Sequence, residues 1–250
     1  MKTPNIAILT QVRLGSSRLP NKVLKKLGDF SALSLHLSRL RRCKLISHFI
    51  VASTHEDGID QVRAIAESCG FAFFQGDTLD VLDRFYQCTK DQSFDHVIRV
   101  TSDCPLIDPV YVDDLVQKYL ASGADYASNS VEPTLPDGMD AEIFRSSVLQ
   151  STWAQATKKS DREHVTPYMI RQSTQFKQLS VKYPHEWGKM RLTLDNAEDL
   201  VVIQELVEKV GPYAPLEEYV RYLQENPGVA GQNAQFFRHQ GYLKSLKEDQ

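Results

Sequence analysis

The sequence predicts an α/β protein: a mixed, mostly parallel sheet flanked by helices, with a β-rich insertion in the second half. Three observations carry this. Strand-like and helix-like stretches alternate at a steady rhythm from Asn5 to Leu120, the pattern of βαβ units. Polar and charged residues collect just after apolar strand candidates, where an open parallel sheet binds its ligands. The rhythm then breaks near Ala124, where short extended segments replace it. The 250 residues, 42% hydrophobic and 24% charged, suit one globular domain spanning the chain.

Asn5–Gln11 is an apolar strand candidate, and Ser31–Arg42 places Leu33, Leu37 and Leu40 at helical spacing. His48–Thr54 is a β-branched strand. Gly58–Cys69 carries Ile59, Val62, Ile65 and Ala66 on one helical face, with Gly70 placed to end it. Phe71–Phe74 reads as a short strand, Leu79–Lys90 as a helix and Asp95–Thr101 as a strand. Pro109–Leu120 reads as a helix with proline in its first turn. Beyond the break, Asp125–Ser128 and Ala141–Phe144 are short and extended, and Glu132–Gly138 is a turn region. Ser147–Thr157 and Arg162–Gln172 read as helices and Phe176–Val181 as a half-buried strand. Residues 130–188 thus form the expected insertion lobe, with the chain rejoining the main sheet at a strand over Met190–Leu194. Ala197–Val210 and Leu216–Gln224 are helical, and the tail reads as mixed polar sequence.

The balance of 29 Lys+Arg against 32 Asp+Glu, net −3, argues against nucleic-acid or polybasic membrane partners. No apolar run approaches a membrane span. The first residues, Met1-Lys2-Thr3-Pro4-Asn5, lead into an apolar run too short for a signal-peptide core, so a cytoplasmic location is expected. Cys43, Cys69, Cys88 and Cys104 are widely spaced and read as reduced thiols rather than a zinc or disulfide framework.

Three segments carry chemistry. After the first strand, Gln11-Val-Arg-Leu-Gly-Ser-Ser-Arg-Leu-Pro-Asn-Lys22 gathers Arg13, Arg18 and Lys22 around Gly15, Ser16 and Ser17. Small residues that let backbone approach closely, with three cations, suit a polyanion such as a triphosphate; a solvated basic turn is the plainer account. It is not a Walker loop, for it lacks the second glycine. In Arg99-Val-Thr-Ser-Asp-Cys-Pro-Leu-Ile-Asp-Pro109, Asp103 ends an apolar strand and reads as a ligand for a magnesium-nucleotide, while Asp108 reads as a helix cap. In Arg191-Leu-Thr-Leu-Asp-Asn-Ala-Glu-Asp-Leu200, Asp195 ends another apolar stretch. The local pattern favours a cap, with Asp195-x-x-Glu198 as a capping box, over a second metal ligand.

TQVRLGSSRLPNKVL, DTLDVLDRFYQ, IRVTSDCPLIDP, LPDGMDAEIF, REHVTPY and RLTLDNAEDL together resemble the cytidylyltransferases that make CMP-activated acidic sugars. These are relatives of the CMP-Kdo and CMP-acylneuraminate synthetases, and the spore-coat polysaccharide biosynthesis protein F group is the most similar branch. The resemblance runs nearly end to end and implies a Rossmann-like nucleotidyltransferase fold. It implies that a sugar hydroxyl attacks the α-phosphorus of CTP and that pyrophosphate leaves. Arg13, Lys22 and Asp103 would be catalytic. Gln11, Arg13, Gly15, Ser16, Arg18, Lys22 and Arg84 would bind the nucleotide. Asp103 and Asp195 would hold Mg2+, and Asp137, Asp140, Arg162, Glu163 and His164 would face the acidic sugar. The local alternatives stay open: a helix-face ion pair for Asp83 and Arg84, turn formation for Asp137 and Asp140, a satisfied buried imidazole for His164. The partners implied are CTP and an acidic sugar, with a homodimer formed through residues 130–188.

Two positions depart from the family pattern. Ser102 stands where glycine is usual, which puts a hydroxyl at the metal–phosphate corner. Asn21 stands where glycine is common before Lys22, a mild change because asparagine tolerates left-handed backbone. Competing readings are a nucleotidyltransferase for another acceptor or base, a CTP-binding module, and a related glycosyltransferase. The last usually places Asp-x-Asp after a strand, whereas Asp103 is followed by Cys104 and Pro105.

Overall fold

The computed structural model describes residues 3–238 and 240–249. In chain order the strands are β1 (Ile6–Val12), β2 (Lys26–Leu27), β3 (Phe30–Ser31), β4 (His48–Thr54), β5 (Ala72–Gly76), β6 (His96–Thr101), β7 (Tyr126–Ser128), β8 (Glu142–Arg145) and β9 (Gln178–Ser180). The helices are α1 (Ala32–Leu40), α2 (Ile59–Ser68), α3 (Val81–Thr89), α4 (Pro109–Ser122), α5 (Ser146–Gln155), α6 (Lys159–His164), α7 (Pro167–Arg171), α8 (Ala197–Lys209), α9 (Leu216–Glu225), α10 (Pro227–Ala230) and α11 (Gln240–Glu248).

Seven strands form one sheet in the order β5-β4-β1-β6-β8-β7-β9. β5, β4, β1 and β6 run parallel, β8 is antiparallel to both β6 and β7, and β9 is parallel to β7. The sheet is therefore mixed and mostly parallel. β1, central in the parallel half, is apolar on both faces, with Ile6 to Leu9 buried, as a strand covered on two sides must be. Ile6 and Ile8 pack into the core that takes Leu33 and Leu37 of α1, Val112 of α4 and Ile203 of α8. Ala7 and Leu9 pack into the opposite core with Leu82 and Phe85 of α3 and Leu149 of α5.

Helix ends follow local chemistry. Ser31 and Ser34 form a reciprocal capping box on α1. Asp108 caps α4, accepting from the Val110 amide at 2.9 Å, and its other oxygen accepts from Leu216 N at 2.8 Å. Gly70, at φ +73°, closes α2 as expected.

Four local features differ from the sequence reading. Both strands within residues 130–188, β8 and β9, pair into the main sheet, and the segment also carries α5, α6 and α7. The helix expected over Arg162–Gln172 is two helices, broken at Val165, whose φ of 70° and ψ of −55° form a γ-turn closed by Thr166 N donating to His164 O at 2.8 Å. Met190–Leu194 is not a ladder strand; it makes a single bridge, Asp137 to Arg191. The tail ends in a helix, α11.

Two buried polar side chains on α1 connect this frame to the sheet edge. Arg39, 1% exposed, donates to the carbonyls of Ile107 (2.8 Å), Pro212 (2.8 Å) and Ala214 (3.1 Å). His36 bonds Thr10 Oγ1 through Nε2 and the Cys104 carbonyl through Nδ1, each at 2.8 Å. A carbonyl only accepts, so Nδ1 carries the proton and Nε2 accepts from Thr10.

Burial pushes the His36 imidazole down to about 4 from 6.5. Between those values the unfolded chain binds the proton and the folded one does not. This group therefore removes stability as pH falls from 6.5 to 4, by about 3 kcal/mol in all. Urea midpoints measured from pH 7 to 4 are expected to fall more steeply in the wild type than in His36→Gln; parallel slopes would refute this account.

Candidate active site

The carboxyl edges of β1 and β6 lie side by side, Gln11 being paired with Thr101. The loops that follow, together with the segments around Asp137, Glu163 and Asp195 and the start of α11, enclose a cleft of about 280 Å³. Gln11, Arg13, Ser16, Arg18, Lys22, Arg84, Asp103, Asp137, Asp140, Glu163, His164 and Asp195 all line it. Segments far apart in the sequence thus meet in one cavity.

At its centre the Lys22 ammonium lies 2.9 Å from Asp103 Oδ2 and 2.7 Å from Asp195 Oδ1. Arg18 Nη2 reaches the same Asp195 oxygen at 2.9 Å. Burial opposes the Lys22 charge, but the two carboxylates outweigh it and raise the pKa. Burial likewise opposes the Asp103 charge, and Lys22 reverses it, holding the carboxyl well below the usual range. The loop that delivers Lys22 turns at Asn21, which is left-handed at φ 53° and ψ 33°, the conformation its residue type tolerates. Ser102 is buried at the cleft wall, its amide donating to Gln11 O at 3.3 Å.

Asp195 is not the helix cap that its local pattern suggested. The α8 N-cap is Asn196, and the Asp199 carboxylate accepts from Asp195 N at 3.0 Å and Asn196 N at 2.8 Å. The capping box is displaced by one residue, so the Asp195 side chain is released into the cleft. Arg191, 6% exposed, aligns this corner: it donates to Asp199, to Asp137 Oδ2 at 2.8 Å and to Asp195 Oδ2 at 3.3 Å.

Gly15 and Arg162 lie outside the cleft lining. The Gly15 and Leu14 amides donate to Glu56 Oε2 at 2.9 and 3.2 Å; the loop nest is filled by an internal carboxylate. Arg162 is bidentate to Asp80 Oδ2, its Nε at 2.8 Å, and donates to the Trp153 carbonyl at 2.9 Å, so the expected sugar contact is replaced by an internal ion pair. Asp83 accepts from Trp153 Nε1 at 2.8 Å and Gln87 Nε2 at 3.0 Å, which is a structural role.

Arg84 contrasts with Arg39. It is 2% exposed, its Nε and Nη1 are buried, and neither has a hydrogen-bond partner among the described residues. Burial, then Arg13, push its pKa down to about 10. Gly76 makes room for its stem, since a Cβ there would lie 3.0 Å from Arg84 Cγ. A buried, unpaired cation at a cleft wall is a site for an anion.

The acidic side of the cleft is held by glycine geometry. Gly138 has φ +103°, and a Cβ on it would lie 2.6–2.8 Å from the Leu192 and Thr193 backbone. Only glycine lets the Asp137–Asp140 turn press on the segment that carries Asp195. Burial and the neighbouring Asp140 push the Asp137 carboxyl up to about 7.

Residues that the sequence reading missed complete the wall. Arg99 donates from Nε to Gln11 Oε1 at 3.1 Å and from Nη1 to Glu142 Oε2 at 2.5 Å. Its signal was a charge inside the otherwise apolar run of β6. Arg191 offered a similar signal, a charge leading into an apolar run. Arg238, paired with Asp140, together with Gln240 and Tyr242, sits in the polar tail and offered none.

A mostly parallel sheet with a cationic loop after β1 and carboxylates at the next strand end defines a nucleotidyltransferase. The chain belongs to the cytidylyltransferase family, whose pattern matches residues 7–240. It is 29% identical over 235 residues to the spore coat polysaccharide biosynthesis protein SpsF of Bacillus subtilis, covering 90% of this chain and 97% of that one. A cytidylyltransferase from Leptospira borgpetersenii superposes with a TM-score of 0.86 at 28% identity, covering 95% of this chain and 100% of that one. A CMP:2-keto-3-deoxy-manno-octonic acid synthetase complexed with CTP shares the fold, with a TM-score of 0.61 at 16% identity over 82% of this chain and 99% of that one. The protein is therefore a nucleotidyltransferase of the cytidylyltransferase family, and no helix among the described residues is long and apolar enough to cross a membrane.

Two predictions follow from the wall residues. Arg84→Met retains the stem and removes an unpaired buried charge. It is expected to leave the urea midpoint unchanged or raise it, while weakening CTP binding at least ten-fold, about 1.4 kcal/mol, by calorimetry. A lower midpoint with unaltered CTP affinity would assign Arg84 to the fold. Gly138→Ala is expected to cost at least about 1–3 kcal/mol from strain alone, read as a lower thermal midpoint.

Proposed function

We propose that the enzyme transfers the cytidylyl group of CTP to a hydroxyl of an acidic sugar, a nonulosonic or Kdo-like acid, and releases pyrophosphate for surface glycan synthesis. The observation that carries this reading is the convergence of Lys22, Asp103 and Asp195 beside the unpaired Arg84. A triphosphate needs cations at several points along its length, and the cleft offers Arg13, Arg18, Lys22 and Arg84 together with the Ser16 hydroxyl. In this reading Gln11 and the loop side chains bind the nucleotide. Gly15 shapes the loop that presents them.

Mg2+ fits the donor set. Asp103 and Asp195 already direct an oxygen each at one cation, the Lys22 ammonium. Two carboxylates with substrate phosphates and water are the usual magnesium environment, and no cluster of three ligating side chains occurs among the described residues. When bound, the ion supplies charge neutralisation at the phosphate oxygens. Lys22 would also reach the phosphates on this reading. Arg13 and Lys22 would stabilise charge that develops as the α–β bond breaks, and the protein's share of catalysis is alignment and electrostatics. Asp137, Asp140, Glu163 and His164 would face the sugar. In this reading the enzyme works in the cytoplasm as a homodimer joined through residues 130–188.

Pyrophosphate release with CTP, magnesium and a panel of acidic sugars tests the reaction. Lys22→Met and Asp103→Asn are each expected to lower kcat by about 10²–10³ while remaining folded. Failure of CTP either to bind or to protect against heat would overturn the reading. Light scattering at micromolar concentration tests the dimer; a monomer mass would remove it.

A further inference from the structure

A second cavity, of about 350 Å³, adjoins the cleft and shares Arg99, Thr101, Asp140, His164 and Tyr242 with it. Its remaining wall is partly apolar, with Val131, Pro167 and Ile170. On the reading above, this is the acceptor side, and His164 stands at the junction.

The imidazole is held from the C-terminal helix. Ser245 on α11 is buried, and its Oγ lies 3.0 Å from His164 Nε2, 2.8 Å from Glu163 Oε2 and 3.2 Å from the Gly241 carbonyl. The hydroxyl has one hydrogen. The carboxylate and the carbonyl can only accept, and a carboxylate 2.8 Å from a hydroxyl oxygen with no hydrogen between them would be repulsive. The serine therefore donates to Glu163, and its lone pair faces His164, so Nε2 must carry the proton. Nδ1 has no hydrogen-bond partner among the described residues. The ring is neutral, because burial, then the Arg99 charge, push it down to about 4.

Two further contacts fix the ring. Tyr242 packs edge-on against it at 5.3 Å. The left-handed γ-turn at buried, β-branched Val165 ends α6 immediately after it; such strain persists only where the surroundings impose it.

We propose that α11 is a built part of the acceptor side: through Ser245 it holds His164 as the Nε2–H tautomer, which leaves Nδ1 to accept a hydrogen bond from the attacking hydroxyl. His164 then orients the nucleophile, and Ser245 and Tyr242 act through it as positioning residues. The Glu163–Ser245–His164 chain joins the family core to a helix whose body lies beyond residue 240, where the family match ends.

The test uses the full chain with 15N-labelled histidine and reads long-range proton–nitrogen correlations at pH 7.5, with His164→Gln as the assignment control. The wild-type ring is expected as a neutral Nε2–H tautomer, retained in Ser245→Thr and mixed in Ser245→Ala. An Nδ1–H ring in the wild type, or a tautomer indifferent to Ser245→Ala, would overturn the proposal. With 3-deoxy-manno-octulosonate and N-acetylneuraminate as acceptor probes, Ser245→Ala should lower acceptor kcat/KM about three- to ten-fold, the value of one hydrogen bond, with CTP affinity unaltered. An equal loss of CTP affinity would point to a nucleotide or folding role and count against it. Absence of CTP binding in the wild type would instead refute the cytidylyl reading and leave the tautomer result to decide this one.

Discussion

The architecture of the site depends on one ammonium. Lys22 Nζ, within hydrogen-bonding distance of Asp103 and Asp195, ties the loop after β1 to the end of β6 and to the segment before α8. Without a cation between them, two carboxylates sharing one partly buried corner would repel, and one would take up a proton. Lys22 is the cation that both carboxylates share, and Arg18 and Arg191 add to it at Asp195. Lysine reaches the corner on a flexible stem, whereas the guanidinium of Arg191 is held on Asp137, Asp195 and Asp199 at once. On the proposed reading, that asymmetry would let the same two acids serve a metal-nucleotide once Lys22 moves aside.

The same logic orders the remaining charges. Two acids of the cleft are matched internally, Asp137 by Arg191 and Asp140 by Arg238. At the cleft wall, Arg84 is buried, its Nε and Nη1 without a hydrogen-bond partner among the described residues. A buried guanidinium can be satisfied in this fold, as Arg39 shows with three carbonyl acceptors. On the proposed reading, the unpaired guanidinium of Arg84 lies where a polyanion would satisfy it.

How much of this was legible in the sequence divides along the range of the interactions. The parallel half was legible because each element states itself locally: the apolar run of β1, the Ser31 cap, Asp108 before Pro109. The cationic loop and Asp103 were legible because strand ends are where such sheets bind ligands. Asp195 was misread locally because two overlapping patterns, Asp195-x-x-Glu198 and Asn196-x-x-Asp199, satisfy the same rule, and only Arg191, which engages Asp199, decides between them. Arg162 was legible as an arginine near the site but not as the partner of Asp80, a contact across 82 positions. The break at Val165 runs against local propensity altogether, since a β-branched residue is the least expected at positive φ. The tail read as mixed polar sequence, whereas its helix α11 packs on α6, with Ser245 bonded to Glu163.

The loop after β1 shows most clearly how function has been moved from backbone to side chains. Successive amides in such a loop are a natural anion nest, and the expectation was that Gly15 would use it on the triphosphate. Here the Leu14 and Gly15 amides are given to Glu56, which also accepts from the Thr54 hydroxyl. That carboxylate comes from the end of β4, the strand beside β1 on the side away from β6. The loop is thus pinned from behind while Arg13, Ser16, Arg18 and Lys22 project into the cleft. A nest left open would bind phosphate with the loop itself and tolerate movement of the side chains. A nest filled by Glu56 makes the loop a mount, and on the proposed reading recognition would rest on three side-chain charges, Arg13, Arg18 and Lys22, with the Ser16 hydroxyl. The internal carboxylate therefore sets the loop that presents Arg13, Ser16, Arg18 and Lys22 while lying outside the cleft lining.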